Sequence, residues 1–152
     1  MKFSFGTKSK IKTKKTILFV CVENAGRSQM AEGFFKKYAP EGFEPLSAGT
    51  KPVSHINPLA IQVMKEVGID ISKQKSKDLT EDTVRNSDKI VNMGCMDKNF
   101  CPTLFIHEVI DWGIEDPKYR TIERVREIRD EIERRIKELA TDVSVVEEEN
   151  NR

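Results

Sequence analysis

The chain has 152 residues, with 26 Lys and Arg against 25 Asp and Glu and a formal net charge of +1. This length predicts a single domain with its own core, and the balanced charge gives no general attraction to nucleic acid or to membrane surfaces. The odd count of three cysteines argues against a secreted disulfide framework and favours a cytoplasmic protein, and no apolar run reaches the roughly 20 residues that span a bilayer. Residues 1–15 predict a basic flexible extension and residues 143–152 a frayed acidic tail, with one folded domain expected over residues 16–142.

Short apolar runs alternate with helical repeats along this domain. The apolar runs predict strands at residues 16–20, 43–48, 89–93 and 106–111. Apolar residues at helical spacing predict helices at 28–38, 58–67 and 122–139, and Thr80 is expected to cap a short helix over 80–84. Asn57 before Pro58 is typical of a helix start. Such alternation predicts an α/β fold, a three-layer open parallel sheet of about four strands flanked by helices.

The segment 21–28 joins the first predicted strand to the first predicted helix and contains a thiol and an arginine. Backbone N–H groups in such a loop and the positive end of the helix bind tetrahedral anions, and Arg27 can donate two hydrogen bonds to their oxygens. The same positive potential favours the thiolate of Cys21, which makes this residue the candidate nucleophile. A buried structural cysteine beside a solvated arginine is the alternative. The candidate substrate-binding residues are Val22, Glu23, Asn24, Ala25, Gly26, Arg27 and Ser28.

Three residues of this segment have specific expected roles. Gly26 is expected to adopt a positive φ, and Asn24 to tolerate the left-handed region of backbone conformation. Ser28 is expected both to cap the helix and to donate a hydrogen bond to the Cys21 sulfur.

Two further thiols, Cys95 and Cys101, follow the third predicted strand. In a helix they would lie about 9 Å apart along the axis, whereas a disulfide needs Cα atoms within about 7 Å, so their pairing requires a looped segment. Cys95 on a mobile loop can meet Cys21 first and Cys101 afterwards, as a relay in which each thiolate attacks the preceding disulfide. Two buried structural thiols are the alternative. A zinc site with His107 lacks a clear fourth ligand, and no metal site is expected.

Asp116 precedes Pro117 and is the candidate general acid. An aspartate before proline is disfavoured in a helix and stands on a loop, from which it can protonate a departing oxygen. Asp111 and Glu115 are nearly as eligible from sequence. Because Cys21 and the segments 94–101 and 111–116 all follow predicted strands, they should meet at the carboxyl edge of the sheet, where α/β folds bind ligands.

Residues from about 16 to 140 resemble the thioredoxin-coupled arsenate reductases, which are built on the low-molecular-weight protein tyrosine phosphatase fold. The resemblance rests on the segments 21–32, 47–50, 68–72, 93–95 with 101–102, and 112–113 with 116–117. It implies that Cys21 attacks arsenate, that Arg27 holds the oxyanion and that Asp116 assists the departure of hydroxide. It further implies that Cys95 attacks the cysteine–arsenic adduct and releases arsenite, and that Cys101 resolves the disulfide. Thioredoxin would then reduce the Cys95–Cys101 bond as an external reductant, without a bound cofactor, and a monomer is expected.

Some positions depart from that family. Gly26 stands where many members have a second cysteine, and Glu23 stands where glycine is frequent, so that its charge should weaken anion binding unless the side chain points away. Some relatives bind potassium through residues that match Asn24, Glu32 and Ser47 together with an aspartate. Lys77 falls near the position of that aspartate, so we expect its ammonium group to substitute for a potassium ion.

Two other functions remain open. A low-molecular-weight protein tyrosine phosphatase would use the same oxyanion-binding loop and acid but would need neither Cys95 nor Cys101. A non-enzymatic thiol redox sensor or oxyanion-binding module would oxidise its cysteines stoichiometrically, without turnover of any oxyanion.

Overall fold

The computed structural model describes residues 13–94 and 109–152, and residues 1–12 and 95–108 lie outside the described residues. The strands of the described part are Lys15–Cys21 (β1), Phe43–Gly49 (β2), Lys89–Asn92 (β3) and Val109–Asp111 (β4). Its helices are Arg27–Tyr38 (α1), Pro58–Glu66 (α2), Glu81–Arg85 (α3) and Ile122–Asn150 (α4). The strands form one parallel sheet in the order β2-β1-β3-β4. The predicted α/β fold with an open parallel sheet of about four strands is confirmed.

Local capping signals place the starts of three helices. The side chain of Asn57 accepts a hydrogen bond from the Leu59 amide at 2.9 Å, with Pro58 at the first helical position of α2. Thr80 caps α3 and Thr121 caps α4 in the same way. A side-chain oxygen at such a position satisfies one of the amides that a helix start leaves unpaired. The predicted starts at Asn57 and Thr80 are confirmed.

The central strand β1 separates two apolar clusters, because successive side chains of a strand point to opposite faces. Leu18 and Val20 pack with Val84 of α3 on one face of the sheet. Phe19 and Cys21 belong to the larger cluster on the other face, which the long helices α1, α2 and α4 cover. The strand thereby carries Cys21 out of a fully packed core to the carboxyl edge of the sheet.

The last helix extends beyond the domain end expected at residue 142. It continues to Asn150, and Val143, which is only 5% exposed, belongs to the same buried stripe as Ile136 and Leu139. Near its end, Glu147 forms an ion pair of 2.7 Å with Lys15 at the start of β1. The acidic residues expected to fray are therefore helical, because the apolar repeat persists for one more turn. Among the described helices, none combines the length and the apolar character needed to cross a bilayer.

Candidate active site

The site is built around the loop between β1 and α1, here called the oxyanion loop (residues 21–27). Cys21 is the last residue of β1, is 3% exposed, and pairs in register with Gly49 at the end of β2. Asp111 ends β4, two strands away in the sheet. The expected meeting of the residues around 21 and 111–116 at one edge is confirmed, whereas Cys95, Cys101 and His107 lie outside the described residues.

Each carbonyl of the oxyanion loop from Cys21 to Gly26 accepts a hydrogen bond from a donor outside this loop. The donors, taken in the order of the carbonyls from Cys21 to Gly26, are Thr50 N at 3.3 Å, Lys51 N at 2.8 Å, Val53 N at 3.2 Å, Gln29 Nε2 at 3.0 Å, Asn57 N at 2.8 Å and Met30 N at 2.9 Å. Because the C=O and N–H of one trans peptide unit point in opposite directions, turning the carbonyls outward turns the amides inward. The loop thus presents N–H groups to its centre before any ligand binds, which is the arrangement that stabilises an oxyanion.

Asn24 and Ser28 connect the oxyanion loop to the sulfur of Cys21. Asn24 is fully buried, and its φ of 50° confirms the expected left-handed conformation. Its backbone amide donates to Cys21 Sγ at 3.2 Å, and its side-chain Nδ2 donates to Ser28 Oγ at 2.7 Å. Ser28 Oγ lies 2.8 Å from Cys21 Sγ.

The orientation of the Asn24 side-chain amide decides how this network uses its protons. Asn24 Oδ1 accepts from the Lys77 amide at 2.7 Å and from Gln29 Nε2 at 3.0 Å, so the other end of the side chain must be the donor. Since Asn24 Nδ2 donates to Ser28 Oγ, the hydroxyl proton of Ser28 is available to the sulfur. Two donors therefore point at Cys21 Sγ and fix the position of the sulfur beside the loop. The Lys77 backbone amide, which can only donate, fixes this orientation, and the Gln29 side chain adds a second donor. The sequence pattern did not reveal the part of Gln29 in the site.

Two expectations for the oxyanion loop are wrong. Gly26 has a φ of −131° rather than a positive φ, and it is itself the N-cap of α1, without a side-chain cap. Ser28 does not cap the helix, because its hydroxyl is turned inward to the sulfur instead. The absence of a side chain at Gly26 is needed for another reason, since a Cβ there would lie 2.9 Å from Pro117 Cγ.

Gly49 allows the oxyanion loop to pack directly on the end of β2. A Cβ at this position would lie 2.5 Å from the Val22 carbonyl oxygen and 2.9 Å from the Asn24 amide nitrogen. Both atoms belong to the backbone of the oxyanion loop, so neither can move without changing its shape. In the sequence, Gly49 directly follows the predicted strand 43–48 and lies in the segment 47–50 on which the resemblance rests.

Arg27 is held by the segment between β4 and α4, here called the acid loop (residues 112–121). The Arg27 guanidinium, 5% exposed, donates from Nη1 to the Ile114 carbonyl at 2.8 Å. Its Nη2 lies 3.7 Å from Asp116 Oδ2, and the Asp116 side chain is 54% exposed. One nitrogen of the guanidinium is thus fixed by the backbone, and the other faces the same cavity as Asp116.

The structure separates Asp116 from the two other candidate acids. Asp111 accepts a hydrogen bond from Asn92 Nδ2 at 2.9 Å and does not line the cavity. Glu115 forms ion pairs with Arg124 at 2.6 Å and Arg120 at 3.1 Å, and the hydrogen bond from Arg124 lowers the pKa of Glu115. A lowered pKa opposes the role of a proton donor at neutral pH. Of the three, Asp116 alone lines the cavity with Cys21 and Arg27.

A cavity of about 630 Å³ opens above Cys21 between the oxyanion loop and the acid loop. Besides Cys21, Arg27 and Asp116, its lining includes Val53, His55, Ile56, Tyr119, Glu23 and Lys118. Glu23 Oε2 forms an ion pair of 2.8 Å with Lys118 Nζ. The negative charge of Glu23, which was expected to weaken anion binding, is therefore paired with an ammonium group. Trp112 is 8% exposed and packs with its ring centroid 6.0 Å from that of Phe19.

Lys77 approaches the positions that match potassium ligands in some relatives. Its Nζ lies 3.4 Å from both Glu32 Oε1 and Ser47 Oγ, and it donates to the Lys75 carbonyl at 2.7 Å. Glu32 is 6% exposed and also accepts a hydrogen bond from Ser47 Oγ at 2.7 Å. An ammonium group thus supplies a positive charge where these oxygens meet, behind the oxyanion loop.

A buried cysteine, a surrounding loop with inward amides and an arginine meet at the carboxyl edge of the parallel sheet, an arrangement typical of a phosphatase-like fold. The family of the low molecular weight phosphotyrosine protein phosphatases matches residues 16–151. The chain belongs to this family.

The related proteins are named for two kinds of activity, arsenate reductase and arginine phosphatase. The arsenate reductase of Brevibacillus brevis is 40% identical over 131 residues, which cover 86% of this chain and 97% of that protein. A solved thioredoxin-dependent arsenate reductase from Corynebacterium glutamicum has a TM-score of 0.75 at 36% identity and covers 93% of this chain and 68% of its own. An arginine phosphatase from Geobacillus stearothermophilus has a TM-score of 0.81 at 27% identity, over 90% of this chain and 97% of its own. The fold is thus shared by arsenate reductases and an arginine phosphatase.

Proposed function

We propose that the protein is an arsenate reductase that reduces arsenate to arsenite with its three cysteines and an external thioredoxin. The 40% identity to an arsenate reductase over 97% of that protein's length carries this proposal. The geometry of the oxyanion loop supports it, since inward amides and Arg27 fit a tetrahedral dianion above the Cys21 sulfur.

The first step would take place within the described residues. Arsenate oxygens accept hydrogen bonds from the amides of the oxyanion loop and from Arg27, and the Cys21 thiolate forms a bond to arsenic. Asp116 donates its proton to the departing oxygen, which leaves as hydroxide or water. The two donors at Cys21 Sγ, from the Asn24 amide and Ser28, hold the thiolate in place for this attack.

The remaining steps transfer two electrons from sulfur to arsenic. Cys95 would attack Cys21 Sγ, so that a Cys21–Cys95 disulfide forms while the arsenic–sulfur bond breaks and its electron pair stays on arsenic, which leaves as arsenite. Cys101 would then attack Cys95, release Cys21 as a thiolate and leave a Cys95–Cys101 disulfide. The balance is one arsenate and two thiols giving one arsenite, one disulfide and water.

The Cys95–Cys101 disulfide must be reduced before the next cycle, and we propose thioredoxin for this role. Both electrons come from thiols, so this chemistry needs no bound cofactor. The cycle starts from reduced cysteines and therefore suits the cytoplasm, where thioredoxin and glutathione keep thiols reduced.

A coupled assay tests the proposal directly. The purified protein with arsenate, thioredoxin, thioredoxin reductase and NADPH should oxidise one NADPH per arsenate, and omission of thioredoxin or the Cys21→Ser variant should abolish the reaction. In Cys101→Ser, arsenate should leave a Cys21–Cys95 disulfide that mass spectrometry of peptides detects. No NADPH oxidation with an active thioredoxin pair would reject thioredoxin-coupled arsenate reduction.

Phosphoester hydrolysis is the second candidate, because the chain belongs to a family of phosphatases and shares its fold with a solved arginine phosphatase. The variant Cys95→Ser distinguishes the two functions, since hydrolysis of a phosphoester needs no second thiol. If Cys95→Ser keeps full multiple-turnover activity on an aryl phosphate while the wild type leaves arsenate unchanged, the protein is a phosphatase.

A further inference from the structure

The ion pair between Glu23 and Lys118 lies at the mouth of the active-site cavity. Glu23 belongs to the oxyanion loop, and Lys118 follows Asp116 by two residues in the acid loop. Their charged atoms are 2.8 Å apart, the side chains are 33% and 43% exposed, and both residues line the cavity that contains Cys21. The pair therefore connects the two loops across the entrance rather than within the core.

We propose that the Glu23–Lys118 ion pair is a specificity device that favours free tetrahedral oxyanions over their aryl esters. This inference rests on the proposed function, because it concerns the choice of ligand at the same site.

The contacts that join the acid loop to the oxyanion loop differ in how easily they separate. Arg27 donates to the Ile114 carbonyl in the buried part of the site, and Pro117 packs against Gly26 so closely that no Cβ fits between them. In the Glu23–Lys118 pair both side chains are partly exposed, whereas the Arg27 side chain, which contacts Ile114 and Asp116, is 5% exposed. Exposed ion pairs contribute little to stability, so the Glu23–Lys118 contact can open while the contacts of Arg27 and Pro117 hold the loops together.

The in-line geometry of the attack directs the organic group of an ester toward this entrance. A nucleophile attacks in line with the leaving oxygen, so the oxygen opposite Cys21 Sγ faces Asp116, which protonates it. In an ester this oxygen carries the organic group, which must pass the residues beside Asp116. The backbone of Lys118 is joined to Asp116, since its amide donates to Asp116 Oδ1 at 2.9 Å. A free oxyanion ends at that oxygen and leaves the pair intact, whereas an ester must displace it.

The pair also neutralises Glu23, and this second effect must be separated from the first. An unpaired carboxylate beside the oxyanion loop would repel every dianion, whether free or esterified, to a similar extent. The ratio of two dissociation constants, one for an ester mimic and one for a free oxyanion, cancels this common repulsion. What remains in the ratio is the cost of opening the entrance.

The experiment uses the reduced full-length protein and two ligands that it cannot turn over, since thiols do not reduce phosphate and phenylphosphonate has no ester bond. Dissociation constants for inorganic phosphate and for phenylphosphonate are measured by isothermal titration calorimetry in the wild type, Lys118→Met and Glu23→Gln. Lys137→Met, an exposed lysine of α4 outside the cavity lining, controls for the change in net charge.

In both Lys118→Met and Glu23→Gln, the ratio of the phenylphosphonate constant to the phosphate constant should fall about 2–5-fold, the size expected for breaking one exposed ion pair. Phosphate alone should bind more weakly to Lys118→Met than to Glu23→Gln, because only the first leaves an unpaired carboxylate. In the wild type the ratio should also fall at high salt, which screens the pair, and Lys137→Met should keep the wild-type ratio.

An unchanged ratio in both variants would overturn the inference. The readout is independent of turnover, so the two proposals fail separately. A shifted ratio without arsenate reduction would support the entrance role and reject the reductase, and arsenate reduction with an unchanged ratio would do the reverse.

Discussion

Replacement of Gly49 by alanine should disable the oxyanion loop although Gly49 contacts no substrate. The new Cβ would lie 2.5 Å from the Val22 carbonyl oxygen, whereas ordinary contacts begin near 3.4 Å, so the loop would have to withdraw by the difference of about 0.9 Å. A displacement of about 1 Å in a catalytic arrangement costs about 100-fold in rate. We therefore expect kcat/KM for arsenate to fall about 100-fold. Overpacking of this kind should also lower the free energy of unfolding by about 1–3 kcal/mol.

Binding of inorganic phosphate provides a measure that does not depend on the reaction. Loss of one amide donor to a charged ligand costs about 1.5–3 kcal/mol, which corresponds to a rise in the phosphate dissociation constant of roughly 10–100-fold. Calorimetric titration of the reduced protein measures this constant, and thermal unfolding followed by circular dichroism measures stability.

Gly42→Ala is the matched control for the loss of stability. Gly42 has a φ of +90°, with no atom within 4 Å of the position that a Cβ would occupy. Alanine at a left-handed position costs roughly 1–2 kcal/mol, so this variant should lose stability comparably while keeping phosphate affinity and activity. If Gly49→Ala binds phosphate as tightly as Gly42→Ala does, the oxyanion loop does not depend on its contact with β2.

Three further predictions concern the acid, the lysine behind the oxyanion loop and a surface carboxylate. Asp116→Asn should lower kcat for arsenate about 10²–10⁴-fold without weakening phosphate binding, because a general acid contributes about that much. The control is Glu115→Gln, whose carboxylate is paired with Arg124 in the wild type. An equal loss of kcat in this variant would contradict the assignment of Asp116. Lys77→Met should lower the free energy of unfolding in urea by about 1–3 kcal/mol, since the buried Glu32 loses a charged partner; an effect no larger than that of Lys137→Met would show that the contact is not stabilising. Hydrogen bonds from Arg126 and then Arg129 lower the pKa of Glu66 from its usual 4.5, so its stabilisation is fully present above about pH 4.5 and is lost as the pH falls through the lowered pKa. The difference in melting temperature between the wild type and Glu66→Gln should therefore shrink below that pH, and a difference that stays constant down to acid pH would refute the reasoning.

The alternation of strands and helices was predictable because each element depends on residues that lie close together in the sequence. Asn57 caps α2 by accepting from the Leu59 amide, only two residues away, and apolar repeats in α1 and α4 recur within one or two turns. Such local signals can be recognised in the sequence without knowledge of the rest of the chain. The same reasoning was too cautious at the end of α4, where Val143 extends the buried stripe and Glu147 pairs with Lys15, 132 residues earlier.

The oxyanion loop was predictable for a related reason, since its nucleophile, its amides and its arginine lie within seven consecutive residues. Its finer geometry was not, and the two errors at Gly26 and Ser28 show why. A glycine is needed at position 26 because Pro117, a residue of the acid loop, leaves no room for a Cβ. The hydroxyl of Ser28 contacts the Cys21 sulfur instead of capping the start of the helix. Within a buried site, the partner of each side chain depends on the three-dimensional arrangement, which sequence spacing does not reveal.

The sequence by itself determined the order of the elements, the parallel sheet and the position of Cys21 at the end of β1. Only the tertiary structure selected Asp116 over Asp111 and Glu115, because each of the other two carboxylates has a partner outside the cavity. Only the tertiary structure shows that Lys118 forms an ion pair with Glu23, 95 residues away. This pair neutralises the negative charge that, from the sequence, should weaken anion binding. The physical reason is that local elements follow from neighbouring residues, whereas the choice among equivalent charged side chains depends on which loops the fold brings into contact.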